Sequence, residues 1–447
     1  MNPVNEGKVA YLDTLAAFAR QTETREVLWL RALRREAAAR FDQLGFPTTR
    51  NEEWKYTDVA PIVRAGFTSA ARDPAGADGA QLSRYWFENL PGHKLVFVNG
   101  CFSAERSRLG ALPKGATVAS LAEALIRQPQ ALEIYFGRIA GESAHAFTAL
   151  NTALAADGVY IHLAPGVQVE QPIHLLYVVT PAAGSKMLTP RNLIVAEEGS
   201  RAAVIEHYVT LGAAAYFTNA LTEVAVGPNA AVEHYRLQEE AGDAYHVGGL
   251  HARLGRDSRL TAHAVDLGGR LVRNDVRAAL EAEGAECTLN GLYVVGGRGH
   301  VDNHTHIDHV KPRGTSREFY KGVLDGRARA VFRGRIVVHP DAQHTDARQV
   351  NNNLLLSRDA EADSQPQLEI YADDVKCAHG ATVGNLDEDA LFYLRSRAIE
   401  ASQARDLLTY AFARDVLARI ALAPVRERLE RRLIESLMHR APVEELL

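Results

Sequence analysis

Cysteine is scarce in this chain: three in 447 residues, Cys101, Cys287 and Cys377, far apart and odd in number. That excludes a disulfide framework and suits a reducing compartment. No Cys-x-x-Cys pair is present, so a self-contained four-thiolate cluster site is not encoded. A surplus of one charge is missing too. Fifty basic residues face 55 acidic ones, a formal net charge of −5, so nothing points to nucleic acid or to an acidic solvating tail. No stretch approaches about twenty uninterrupted apolar residues, and no membrane span is expected. The N-terminus is polar, with no apolar run after a basic start, so no signal peptide is expected and the expected location is cytoplasmic. Gly296-Gly297-Arg298-Gly299 lacks the Gly-Lys-Ser or Gly-Lys-Thr that would make it a Walker A loop. Any nucleotide hydrolysis has to come from a partner.

What is present is ample apolar material, 47% of residues, in a chain too long for one compact domain unless the fold is an elongated repeat array. Residues from about 8 to 44 read as helix: Leu12, Leu15 and Phe18 share one face, and Val27, Leu30, Leu33 and Ala37 form a second run before Gly45 and Pro47. Trp54 and Tyr56 flank Lys55, and their expected role is to anchor this region on the next one. Lys94 to Val98 reads as a buried strand closed by an Asn99-Gly100 turn. Helical stretches are expected from Val118 to Ile126 and from Ala146 to Ala156. From about 158 the pattern changes to short strands separated by turn signals such as Pro165-Gly166, Glu198-Gly199-Ser200, Gly227-Pro228-Asn229 and Arg256-Asp257-Ser258. Glu206-His207-Tyr208 recurs 27 positions on as Glu233-His234-Tyr235, with Leu260 to Ala264 continuing less closely. A period of this size is one coil of a β-solenoid, and the lack of a hexapeptide repeat favours the right-handed parallel β-helix. His207, His234 and His263 are then expected to stack as a structural ladder.

Beyond Asn385 three helices are expected, Asp387 to Arg397, Glu400 to Ala421 and Pro424 to Arg440, which would also cap the sticky end strands of the solenoid. Asp387 is the expected N-cap of the first, and Leu391, Leu394 and Phe392 its apolar stripe. Just before it, Cys377-Ala378-His379-Gly380 reads as a corner with a thiol and an imidazole on one face. That pair suits a soft or borderline metal, or simply a packed turn. The richest histidine cluster is Asn303 to His309. His304 and His306 with Asp308 form a candidate metal set, against the plain reading of a solvated solenoid face, and the role of His309 is left open. Cys101 and Cys287 read as packing residues.

Three segments resemble the SufB/SufD family of SUF iron–sulfur cluster assembly scaffolds. They are Asn51-Glu52-Glu53-Trp54-Lys55-Tyr56-Thr57, the stretch from Ser316 to Ser357 with Tyr320-Lys321-Gly322-Val323, Val331-Phe332-Arg333-Gly334 and Asn351 to Ser357, and Asp373 to Arg397. They lie in order along the whole chain. Cys377-Ala378-His379-Gly380-Ala381-Thr382 stands where the SufB branch reads His-Glu-Ala-Thr, which favours the SufD branch. Ala398 departs from the family's usual Gly and bears on the break between two helices. The resemblance implies a non-enzymatic scaffold, again a mainly β, right-handed parallel β-helix flanked by helices: a mainly helical region 1–145, a β-helix core 146–385 and a C-terminal helical region 386–447. It implies a SufB-like partner, with His379 and, less firmly, Cys377 at the interface where a transient cluster or iron is held, none of it bound stably by this chain alone. It also implies a SufC-like ABC ATPase docked on the C-terminal helices through Asp387, Leu391, Phe392, Tyr393, Arg395, Arg397 and Arg405. A homodimer in isolation is possible. The alternatives are a homodimeric iron–sulfur carrier binding through Cys377 and His379, and a β-helix carbohydrate-active enzyme, which would need clustered carboxylates on one face.

Overall fold

From Val159 to Gly384 the chain is a succession of strands and turns, with one short 3-10 turn at Pro181–Ala183, and the long strands fall alternately into two facing sheets. The structure, a computed structural model, describes residues 3–24, 26–69, 76–87, 89–141 and 145–438. It begins with helices α1 (Pro3–Thr22), α2 (Leu28–Leu44) and α3 (Ala60–Ala65), strand β1 (Thr68–Ser69) and helix α4 (Gly79–Ser83). Strands β2 (His93–Val98), β3 (Cys101–Phe102) and β4 (Ala116–Ser120) and helices α5 (Leu121–Arg127), α6 (Pro129–Glu133) and α7 (Ala146–Leu154) follow. Next come β5 (Val159–Leu163), β6 (Ile173–Val179), β7 (Lys186–Leu188), β8 (Arg191–Ala196), β9 (Arg201–Thr210), β10 (Phe217–Val226), β11 (Ala231–Glu239), β12 (Tyr245–Leu254) and β13 (Arg259–Asp266). The run continues through β14 (Leu271–Leu280), β15 (Glu286–Val295), β16 (His300–His309), β17 (Thr315–Leu324), β18 (Arg329–Val338), β19 (Asp346–Leu355), β20 (Glu361–Ile370) and β21 (Lys376–Gly384). Helices α8 (Glu388–Ser396), α9 (Ala401–Leu417) and α10 (Ala423–Met438) close the described chain. The expected end of the last helix at Arg440 lies outside the described residues.

One sheet runs β20-β18-β16-β14-β12-β10-β8-β5-β4 and the other β21-β19-β17-β15-β13-β11-β9-β6-β2-β3. Pairing is parallel along the stacked coils and antiparallel where β4 and β3 join the first of them. This is the mainly β solenoid expected from the sequence, of about eight turns. The turn signals are its corners. Gly199, Asn229 and Asp257 have positive φ (67°, 57° and 51°), and their N–H groups donate to Pro228, Arg256 and Glu283 on the next coil. Gly, Asn and Asp tolerate that left-handed backbone best.

Register overturns the histidine ladder. Arg201 pairs with Ala231, a step of 30, and Ala231 with Arg259, a step of 28. The Glu-His-Tyr triplets repeat at 27 and are therefore three residues out of step. An odd offset turns a side chain to the opposite face. His234 points into the lumen, where it meets Glu206 at 2.8 Å. His207 and His263 lie on the outer face, stacked on His174 and Tyr235 instead.

Each outer face is covered by helices. Apolar residues of α1, α2 and α7 bury Met187, Phe217, Val247 and Leu271 of the first sheet. Val416, Leu417, Ile420, Val425, Leu429 and Leu433 of α9 and α10 cover Tyr235, Leu237, Val265, Leu292 and Val323 of the second. Arg428 and Arg432 clasp Glu239 at 3.1 and 2.8 Å, and Lys321 reaches Asp415 and the Phe412 ring. The expectation that these helices cap the end strands is therefore wrong. Their apolar stripes match the broad apolar face of the sheet, whereas a strand edge offers only backbone groups. Among the described residues no helix is long and apolar enough to cross a membrane.

Trp54 and Tyr56 do anchor the N-terminal region. Arg273 of β14 lies 3.6 Å over the buried Trp54 ring and donates to the Glu53 carbonyl. Thr57 bonds Asp302 and His300 of β16, and Tyr56 accepts from Gln365 of β20.

The departure at Ala398 has a structural cost. Ala398 has a φ of 61° and donates to the Arg395 carbonyl, while Ile399 donates to that of Leu394. These are the two bonds of a Schellman motif, whose left-handed residue is normally Gly. Ala398→Gly is expected to stabilise the α8–α9 junction by about 1 kcal/mol. Slower amide exchange across residues 394–402 would show it, and unchanged exchange would refute it.

Candidate functional site

The residues that carry the family resemblance near the C-terminus gather at one end of the solenoid, and that end is open. β20 and β21 are the last strands of their sheets, and nearly all of β21 is exposed. Cys377 and His379 lie on β21 rather than at a corner: residues 376–384 form a continuous parallel ladder with β19. Being two apart they share the lumen-side face, Cys377 in register with Ala347 and His379 with Gln349. Cys377 packs partly against the lumen core. Burial, with the Asp346 carboxylate adding to it, pushes its thiol up, so it stays protonated at neutral pH unless a metal displaces the proton. His379 is exposed. Tyr371, Ile370 and Val383 add exposed apolar surface on β20, β21 and the turn between them.

One coil below His379 lies a polar group that sequence reading missed. Gln349 is fully buried and its Nε2 donates to Glu318 at 3.0 Å, while Thr305 donates to the other Glu318 oxygen at 2.5 Å. Burial outweighs those bonds and raises the Glu318 carboxyl to about 7. The signal was available: Ser316, Glu318 and Tyr320 alternate inward, and a glutamate at a core position is an anomaly.

The helix beyond the open end is α8. Its N-cap is Asp387, as expected, accepting from the N–H groups of Asp389 and Ala390. Leu391 and Leu394 are half-buried. Phe392 is not part of that stripe: it is 73% exposed, beside Tyr393 at 55%. Arg397 stacks on Tyr393 at 4.7 Å. Arg395 belongs to the same helix, but Arg405 lies on α9 and donates to the Leu356 carbonyl.

The histidine cluster of β16 does not converge. His304 is spent on Asp302 and His306 on Asp308, each at 3.0 Å, while His309 faces the lumen and meets Ser316. Among the described residues no three His, Cys, Asp or Glu side chains form a possible metal set. Cys287 is a lumen packing residue, as expected.

Residues 178–412 match the family model of the SUF system FeS cluster assembly SufBD core domain, and residues 6–175 that of the SufBD protein N-terminal region. The chain is 34% identical over 381 residues to the iron–sulfur cluster assembly protein SufD of Escherichia coli, covering 83% of this chain and 85% of that one. It is 33% identical over 404 residues to an iron–sulfur cluster assembly SufBD family protein of Synechocystis, covering 89% and 88%. It is 29% identical over 289 residues to the SufD protein of Bacillus subtilis, covering 64% of this chain and 65% of that one.

Proposed function

Because the chain belongs to the SufBD family of SUF-system iron–sulfur cluster assembly proteins, we propose that it is a SufD-type scaffold subunit. It acts in the cytoplasm, without catalysis of its own, alongside a SufB-like subunit and a SufC-like ABC ATPase. The observation that carries the reading is the open solenoid end, with His379 exposed and Cys377 beside it. The free edges of β20 and β21 suit strand addition from a partner solenoid, which would place further donors opposite His379. An imidazole and a thiol are two donors of the kind that iron and nascent clusters accept, and two are too few to retain them. The cargo is accordingly transient and shared with the partner.

α8 supports the ATPase contact. Phe392 and Tyr393 present about a turn of exposed aromatic surface flanked by Arg395 and Arg397, the composition of a binding hot spot. Tagged chain recovered from its own cells is expected to bring down an ABC-type ATPase, and the pair Phe392→Ala and Tyr393→Ala to lower the yield at least about tenfold. Both side chains are exposed, so the fold should survive. An ATPase that is absent with the wild type, or undiminished with the variant, defeats the partner assignment. A homodimeric carrier would use the same open end. Visible cluster absorption in chain purified alone and anaerobically would favour that carrier over the scaffold.

A further inference from the structure

Gln349 sits between Glu318 and His379 in one lumen-facing row of the second sheet, on consecutive strands β17, β19 and β21. Neighbouring strands lie about 4.8 Å apart. The amide orientation follows from its partners. Glu318, when ionised, only accepts, so Gln349 turns its NH2 group to it at 3.0 Å. On the far side of the lumen Gly334 makes room for that amide, and a methyl group at 334 would overlap the amide nitrogen. Thr305 holds Glu318 from below. Among the described residues this leaves the Gln349 carbonyl oxygen buried and without a partner, in a residue with no exposed surface. A buried carbonyl oxygen left unmatched is uncommon and costs about 1–3 kcal/mol. Its neighbour toward the open end, in register on the next strand, is the exposed His379.

We propose that the Gln349 carbonyl is an inner oxygen donor for a borderline divalent cation held by His379, with Glu318 supplying the compensating negative charge one strand deeper. The inference rests on the scaffold reading above and goes further, because it assigns part of the cargo site to two residues of the lumen. An oxygen and an imidazole together suit Fe²⁺, Mn²⁺ or Co²⁺. Unlike the thiol of Cys377, the amide oxygen and the imidazole need lose no proton from the donor atoms to bind. Glu318 acts through Gln349: it fixes which end of the amide faces the ligand, as carboxylates behind ligating groups do in metal sites.

The test is titration of the full chain with Co²⁺ alone at pH 7.5, read by its visible absorption. Wild type is expected to bind weakly and reversibly, as two protein donors allow, and His379→Ala to lose binding. Gln349→Met, of matching volume but without the carbonyl, is expected to weaken binding at least about tenfold, as is Glu318→Gln, in the range second-layer substitutions reach. The exchanged pair, Glu318→Gln with Gln349→Glu, preserves the hydrogen bond in reverse and keeps an oxygen at 349. It is expected to restore binding, which a merely structural role would not produce. Thermal melting of each variant confirms the fold, and the exchanged pair decides the matter where Gln349→Met does not fold. Binding that survives Gln349→Met, or is not restored by the exchange, overturns the inference while leaving His379 and the scaffold reading intact. Binding that survives His379→Ala, or wild type that does not bind, overturns the inference too. The scaffold reading itself falls separately, on the ATPase experiment.

Discussion

Arg273→Ala is expected to destabilise the protein by about 3–5 kcal/mol, the cost of leaving buried charge uncompensated. The guanidinium is fully buried. It holds Asp275 with two bonds, at 3.0 and 2.9 Å, and Asp302 with a third at 2.6 Å. It also lies over Trp54, and it bonds the Glu53 carbonyl of the segment that ties the N-terminal helices down. Burial alone would raise the Asp302 carboxyl, but His304 and Arg273 outweigh it and hold it well below the usual range. Asp275 behaves alike, with Arg273 and then His145 opposing its burial. Among the described residues the two carboxylates then keep Thr57, His304 and His145. The N-terminal region should loosen first, so limited proteolysis near residues 50–60 should precede global unfolding in urea. Trp54→Ala touches the same contact, and the double variant should cost less than the sum of the two. A loss below about 1 kcal/mol with unchanged proteolysis would show that the anchor lies elsewhere.

The second large effect is a pH dependence located at Glu318. Its carboxyl stands at about 7 in the fold against 4.5 as the ordinary value, because burial disfavours the charge. Between those two values the folded state binds the proton and the unfolded state does not, so stability falls as pH rises through that window. The loss is about 3 kcal/mol, from 1.36 kcal/mol per unit. Buried histidines work in the other direction. Burial lowers His251 to about 3 and His263 and His309 to about 4, and groups kept neutral in this way add stability as pH rises toward 6.5. The raw wild-type curve mixes the two. The difference between wild type and Glu318→Gln isolates the glutamate: it should change by about 3 kcal/mol between pH 4.5 and 8, in favour of the variant at the higher pH. Urea midpoints at those two values measure it. A constant difference would mean that Glu318 is ionised, or solvated, throughout.

Much of this molecule could be read before any coordinate was known, because the signals are local. Alternation with period 2 marks strands, and left-handed corners select Gly, Asn and Asp, so Gly199, Asn229 and Asp257 announced the coils of the solenoid. Asp387 and Ala398 marked the two ends of α8 for the same reason, since caps depend on a few neighbouring backbone groups. Trp54 and Tyr56 were legible as anchors but not their partner, because Arg273 lies 219 positions away and nothing in the charge pattern connects them.

Register and the end of the array were decided by the tertiary structure alone. Coil steps vary with loop length, from 26 between Tyr245 and Leu271 to 33 between Tyr160 and Leu193, so a repeat of 27 in the letters did not give the partners of His207 or His234. Helices with an apolar stripe were legible, but which surface they would cover was not. Two broad sheet faces compete with a narrow strand edge, and the larger apolar area wins, which leaves the outer edges of β20 and β21 without a strand partner among the described residues. The row Glu318-Gln349-His379 exists only once that register is set. The sequence by itself determined a coiled β array flanked by helices and the identity of its family; packing between distant segments determined which residues share a lumen and which end of it stays open.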